Sequence, residues 1–352
     1  MEFLIEYGLF LAKSVTVVVS LLVVVVVVFG AGQRQRNSDI GHIEVKNLND
    51  TLEEVTRSLK AVVLNPELLK KESKEQKKKQ KTKSKAQRKE SKEGEESRPR
   101  MFVVDFVGDV QASQVINLRE EITAILSVAQ ERDEVLVRLE SPGGIVHGYG
   151  LAASQLQRIR NKSILLTVSV DKVAASGGYM MACIGSKIIA APFSLLGSIG
   201  VVAQIPNFHR LLKKNDIDVE TLTAGEFKRT LTLFDENTEK GREKFVDDLE
   251  DVHTLFKEFV TDNRPQVDIE KVSTGEAWFG KRAMERQLVD ELKTSDEYIV
   301  DSCADKDVFL VKHVVNKNKI DKIFERVTRL WLGEALPRQF MPKHSLLKQF
   351  IQ

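Results

Sequence analysis

The sequence predicts an α/β fold with a parallel sheet, carried behind a membrane anchor and a charged tether. Three observations lead there. From Met101 onward strand-like and helix-like patterns alternate, residues 14–33 hold no charged side chain, and a lysine-dense tract separates the two. Strand–helix alternation argues for βαβ layering.

Residues 14–33 read as the anchor. Twenty residues at about 1.5 Å rise span about 30 Å, the thickness of a bilayer's hydrocarbon core. The run is apolar all round, so it has no face with which to lie on a membrane surface. A cleaved signal peptide is the competing reading, and Gly30-Ala31-Gly32 resembles a cleavage site. Glu2 and Glu6 stand where a signal peptide carries basic residues, which favours a retained single-pass anchor. Arg34, Arg36 and the lysines beyond place the body in the cytoplasm by the positive-inside rule. A second uncharged run, 188–209, includes Pro192, Gly197, Gly200 and Pro206 and reads as buried strands and turns.

Next comes the tether, 34–98. Within 40–64, Leu48, Leu52, Val55, Leu59 and Val62 recur at helical steps and predict an amphipathic helix. Residues 70–92 hold twelve Lys/Arg against three Glu, a local charge of +9 that leaves −7 for the rest of a chain totalling +2. Such a tract buries nothing and forms a solvated spacer or charged helix that can touch anionic headgroups. It interleaves no aromatics for base stacking, which argues against nucleic acid as a partner. Two cysteines, Cys183 and Cys303, make no disulfide framework, and no Cys/His cluster offers a metal site.

The body, 99–305, contains predicted strands at 101–107, 135–139 and 164–170 and helices at 114–130 and 149–159. The first helix aligns Val115, Leu118, Ile122, Ile125, Leu126 and Ala129 on one face. Residues 306–352 form a C-terminal tail. Two glycine-rich loops follow strands, where α/β folds place their sites. One is Ser141-Pro142-Gly143-Gly144, which could equally be an ordinary turn. The other is Ala174-Ala175-Ser176-Gly177-Gly178, which could equally be close helix packing through small residues. A serine there, with a backbone N–H after it, suits nucleophilic attack with oxyanion stabilisation. Its base is open: His147 and His209 read as capping or packing residues, and periodicity singles out no lysine. Ser169-x-x-Lys172 lacks the companion motifs that would make it catalytic.

Taken together, these segments resemble the signal peptide peptidase A family of membrane-bound serine peptidases, most closely its SohB branch. The resemblance rests on Leu139–Gly144, Ala174–Tyr179, Gly197-Ser198-Ile199-Gly200-Val201, Lys228 within Thr223–Thr230, and Thr274-Gly275-Glu276-Ala277-Trp278. It implies a Clp/crotonase-like fold of repeated ββα units and a Ser/Lys dyad. Ser176 is then the nucleophile, Lys228 the general base and Ser198 the residue orienting that lysine. Gly177 and either Gly143 or Gly144 supply the oxyanion hole. No metal or cofactor is implied. The expected partners are a peptide or protein substrate, the lipid bilayer, and further copies of the chain in a ring with active sites between subunits. The family's setting is the bacterial inner membrane with the body on the periplasmic side, opposite to the charge rule. The helical stretch 238–263 suits such subunit contacts or covers its own domain. Two rival readings are weaker. Gly148-Tyr149-Gly150-Leu151-Ala152-Ala153 matches a dinucleotide fingerprint, but the preceding loop separates it from its strand. A catalytically silent scaffold is disfavoured by the intact Ser176, Ser198 and Lys228.

Overall fold

Runs of β-branched and aromatic residues that are apolar at nearly every position make strands buried on both faces. Met101–Val104 and Val135–Val137 are such runs, and all seven of their side chains are buried. The computed structural model describes residues 7–11, 13–18, 20, 41–64 and 98–315. Residues 43–313 form one compact unit, and the terminal segments 1–42 and 314–352 group separately.

The chain order is β1 (His42–Asn47), α1 (Leu48–Val63), β2 (Arg100–Val107), α2 (Val115–Leu126), β3 (Glu134–Glu140), α3 (Val146–Arg160), β4 (Leu165–Val170), β5 (Val173–Ala175), α4 (Gly177–Ala182), β6 (Lys187–Ala190) and β7 (Leu195–Gly197). It continues with α5 (His209–Lys214), α6 (Glu239–Asn263), α7 (Ile269–Val272), β8 (Ala277–Phe279), α8 (Gly280–Glu285), β9 (Glu291–Leu292), α9 (Ser295–Ser302) and β10 (Asp307–Val314). A seven-stranded sheet runs β1-β10-β2-β3-β4-β6-β9, and a second, three-stranded sheet runs β5-β7-β8. From β10 through β9 the pairings of the large sheet are parallel. This is the mixed α/β architecture with a mostly parallel sheet that the alternation predicts. Helices α2 and α3 bury Leu118, Ile122 and Ile125, and Ala152, Leu156 and Ile159, at helical spacing against it.

Several boundaries differ from the sequence reading. The stretch 40–64 is not all helix: the chain runs extended to Asn47, whose side chain caps α1 by accepting from the N–H groups of Asn49 and Asp50. Helix α2 stops at Leu126 rather than 130. The buried Asp133 carboxylate accepts the Gln130 N–H and the Arg100 N–H, turning the chain back into the sheet. Strands β1 and β10 lie outside 99–305, yet β10 pairs with β2 of the body and Asn49, just after β1, is bonded to it. Its side chain donates to the carbonyls of Cys303 and Lys306 and accepts from Val308 N–H. The run 188–209 forms the buried part of β6, a turn, β7 and then a stretch without regular structure up to the start of α5.

Of the predicted anchor, residues 14–18 and 20 are helical and the remainder lies outside the described residues. Among the described residues no helix is long and apolar enough to cross a membrane. The lysine tract and the tail beyond 315 also lie outside them.

One buried charge marks the junction of α2 with β10. Glu121 is 4 % exposed and accepts the His313 N–H at 2.8 Å. Burial, opposed by that hydrogen bond and reinforced by Asp105, pushes its carboxyl up to about 7. A carboxyl raised in the folded state binds more protons folded than unfolded, so stability falls as pH climbs from about 4.5 to about 7. Glu121→Gln keeps the acceptor and removes the charge. It is expected to raise the melting temperature at pH 8, by an energy of roughly 1–3 kcal/mol, and to change little at pH 4.5. Thermal melts at the two pH values check this.

Candidate active site

The strand β3 and the short strand β5 deliver two loops to one place. Ser141, just past β3, bridges to Ala174: its N–H donates to Val173 O at 2.8 Å, and its carbonyl accepts Ala175 N–H at 3.0 Å. The Ser141-Pro142-Gly143-Gly144 loop is thereby stitched to the strand that ends at Ser176.

Ser176 adopts φ +52° and ψ −120°, a conformation L-residues rarely occupy. Two backbone hydrogen bonds hold it, Ser176 N–H to Gly197 O at 2.8 Å and Met180 N–H to Ser176 O at 3.0 Å. The turn leaves Ser176 half-buried, with no hydrogen bond to its hydroxyl among the described residues. Crowding explains the glycines around it. Gly143 has φ +91°, and a Cβ there would lie 2.7 Å from Ala175 O, 2.8 Å from Ser176 Cβ and 2.9 Å from Gly177 N. A Cβ on Gly177 would lie 2.5 Å from the Tyr149 ring.

The donors differ in availability. Gly143 N–H is taken by Ser141 Oγ at 3.1 Å. Gly144 N–H and Gly177 N–H have no acceptor among the described residues, and both glycines line the same cavity as Ser176. That cavity, about 90 Å³, is walled by Val146, Met180, Val252 and Phe256 together with residues 200–202. The lining is apolar except at the serine and the glycine backbones. No histidine and no acidic residue lines it. Buried Cys183 is no competing nucleophile, since burial pushes its thiol up to about 12.

The structure thus brings together Ser176, Gly177, Gly143 and Gly144. Ser198 is close along the chain: it follows Gly197, and its N–H donates to Glu276 O at 2.6 Å. Lys228 is not brought to them. It stands exposed on the segment 201–236, does not line the cavity, and its amine has no hydrogen bond or ion pair among the described residues. That segment is closed at its base by Asn207, whose side-chain amide donates to Thr232 O and Asp235 O, and by Phe208 N–H to Leu233 O. Elsewhere Lys172 pairs with Glu140, and Gly148–Gly150 lie inside α3 rather than on a strand-to-helix turn. Sequence reading overlooked Met180, Val252 and Phe256 as cavity walls and Tyr149 beneath Gly177. Val252 and Phe256 were visible only as one apolar face of α6.

Replacing Gly143 by alanine forces a Cβ against Ala175 O, Ser176 Cβ and Gly177 N and strains a positive φ. Gly143→Ala is therefore expected to abolish peptide cleavage by the full-length protein. Cleavage by this variant at more than about a tenth of the wild-type rate would show that the loop tolerates movement.

Comparison with known proteins identifies the family. The family model "Peptidase family S49 N-terminal" matches residues 2–156, and "Peptidase family S49" matches 158–309. "Probable protease SohB" of Haemophilus influenzae is 52% identical over 91% of this chain and 92% of its own length. "Probable protease SohB" of Buchnera aphidicola subsp. Acyrthosiphon pisum is 47% identical over 98% of this chain and all of its own length. A more distant relative, "Protease 4" of Haemophilus influenzae, is 25% identical over 51% of this chain and 30% of its own length.

Proposed function

The chain belongs to peptidase family S49 and is a peptidase acting on peptide or protein substrates, and from that premise we propose that it is a membrane-anchored serine endopeptidase with a Ser176/Lys228 dyad. One observation carries the reading: a serine at a strained φ, its hydroxyl without a partner among the described residues, beside two likewise unpaired backbone N–H groups in an apolar cavity. The small second sheet, whose strand β5 leads into Ser176, supports a Clp/crotonase-type arrangement.

In the proposed reaction the unprotonated amine of Lys228 accepts the Ser176 proton as Oγ attacks the scissile carbonyl. The N–H groups of Gly144 and Gly177 take the oxyanion. The lysine returns its proton to the leaving amine, and water then attacks the acyl-enzyme with the same base. Ser198, whose hydroxyl has no partner among the described residues, orients the lysine. The apolar walls select hydrophobic peptides, such as signal peptide remnants.

The exposed position of Lys228 supports a site completed by a second subunit. So do the exposed Val202, Leu211, Ile217, Leu222 and Phe227 on its segment, since monomers seldom leave so much apolar surface uncovered. The uncharged residues 14–33 support anchoring in the inner membrane.

Ser176→Ala and Lys228→Ala are each expected to abolish cleavage while preserving assembly. Co-expressed in one assembly, the two variants are expected to regain activity, because about a quarter of sites would pair an intact serine with a neighbour's intact lysine. Absence of complementation would place the dyad within one subunit. Full activity in Lys228→Ala with loss in His209→Ala would replace the lysine by a histidine base. Protease accessibility of the body in intact cells decides between the cytoplasmic and periplasmic sides.

A further inference from the structure

Beneath the two loops lies a buried tyrosine that the proposed reaction does not use. Tyr149, in the first turn of α3, is fully buried. Its hydroxyl donates to Asp109 O at 2.8 Å and lies 2.5 Å from Ser141 Oγ. Ser141, also fully buried, accepts Gly143 N–H at 3.1 Å.

The direction of this chain is fixed by its ends. A backbone N–H only donates and a backbone carbonyl only accepts. The single phenolic proton goes to Asp109 O, so the Ser141 hydroxyl donates to Tyr149 Oη. The bonds therefore run one way, from Gly143 N–H to Ser141, from Ser141 to Tyr149 and from Tyr149 to Asp109 O. Each hydroxyl is donor and acceptor at once, and burial holds the phenol above its ordinary value, keeping it protonated. The other end of the side chain meets the second loop. Cγ, Cδ2 and Cβ of Tyr149 lie 2.5, 2.7 and 2.8 Å from where a Cβ on Gly177 would stand. Space for the hydroxyl pair comes from Gly108, whose absent Cβ would sit 2.3 Å from Tyr149 Oη and 2.6 Å from Ser141 Oγ.

We infer that Tyr149, acting through Ser141, is the positioning residue of the oxyanion hole. Its hydroxyl fixes the loop carrying Gly144, and its ring seats Gly177. This rests on the reading of Ser176 as nucleophile with Gly144 and Gly177 as its donors. By binding Gly143 N–H, Ser141 also decides which donor of the loop remains free: Gly144 rather than Gly143. Losing one oxyanion donor outright costs about 10²–10³ in rate. Loosening a donor without removing it costs less.

Tyr149→Phe keeps the ring under Gly177 and deletes only the hydroxyl. In the full-length protein it is expected to lower kcat by about 10- to 100-fold, with KM within about twofold of wild type and an unshifted pH–rate profile. Ser141→Ala is expected to give the same pattern, and the double variant no more than the larger single loss, since both act through one chain of bonds. Rates are taken per folded molecule, normalised by circular dichroism, so lost protein does not register as lost catalysis. Wild-type kcat per folded molecule in both variants overturns the inference. A rise in KM at unchanged kcat overturns it too, since that is lost substrate binding. The underlying reading has a separate control. If a fluorophosphonate fails to label wild-type Ser176, or Ser176→Ala still cleaves, the nucleophile assignment is wrong whatever Tyr149→Phe does.

Discussion

Much of the body is arranged around one backbone conformation. Ser176 sits at φ +52° and ψ −120°, which costs about 1–3 kcal/mol and persists only if neighbours over-determine it. They do so from separate parts of the chain. Gly197 O, at the end of β7, accepts its N–H, and Ser141 O holds the preceding Ala175. The small sheet β5-β7-β8 makes this possible by placing β7 on one side of the strand that leads into the serine turn, while the Ser141 bridge holds the other. Residues with no or minimal side chains surround the turn because larger ones would collide with the loops they join.

The loops around Ser176 and the segment that carries the proposed base Lys228 differ in kind. Ser176 and the two free N–H groups are fixed by strands, buried hydroxyls and crowded glycines. Lys228 lies on a segment closed at its base by Asn207 and Phe208 and held to α6 by the exposed Glu226–Lys240 pair and by Lys240 and Lys244 over the Phe227 ring, and it bears several exposed apolar side chains. An amine in water is protonated near neutral pH and cannot serve as a base; it becomes one by losing water. The exposed lysine and the apolar surface beside it therefore raise one physical question, namely what covers the segment. Covering it by another copy would desolvate the amine and bury the apolar side chains together.

The sheet was legible in the sequence because its strands are buried on both faces and read as unbroken apolar runs. The helix α1 was legible from its leucine spacing, but the strand before it was not, since only Ile43 and Val45 mark its alternation. Asp133 ended α2 early through a side chain seven residues beyond Leu126, a contact that periodicity does not encode. At the site, glycine spacing pointed to both loops, and only the resemblance pointed to Lys228. The choice between Gly143 and Gly144 needed coordinates, because it depends on which N–H a buried serine happens to occupy.

That last point explains why oxyanion sites of this kind are hard to read and hard to test. The donors are backbone groups, so no side chain names them and no substitution deletes them. Replacing the glycine adds a Cβ and disturbs the fold before it informs on the charge. What a sequence does specify is the support: a small residue where two loops meet, and a hydroxyl where a loop must be pinned. Ser141 and Tyr149 are eight residues apart, one at the end of a strand and one in the first turn of a helix. Their hydroxyls meet because the intervening loop folds back between them. Each is unremarkable alone, a serine in a turn and a tyrosine on an apolar helix face. Together with the carbonyl of Asp109 they pair both buried hydroxyls and the N–H of Gly143, and leave the N–H of Gly144 without an acceptor among the described residues, the arrangement the proposed oxyanion hole requires.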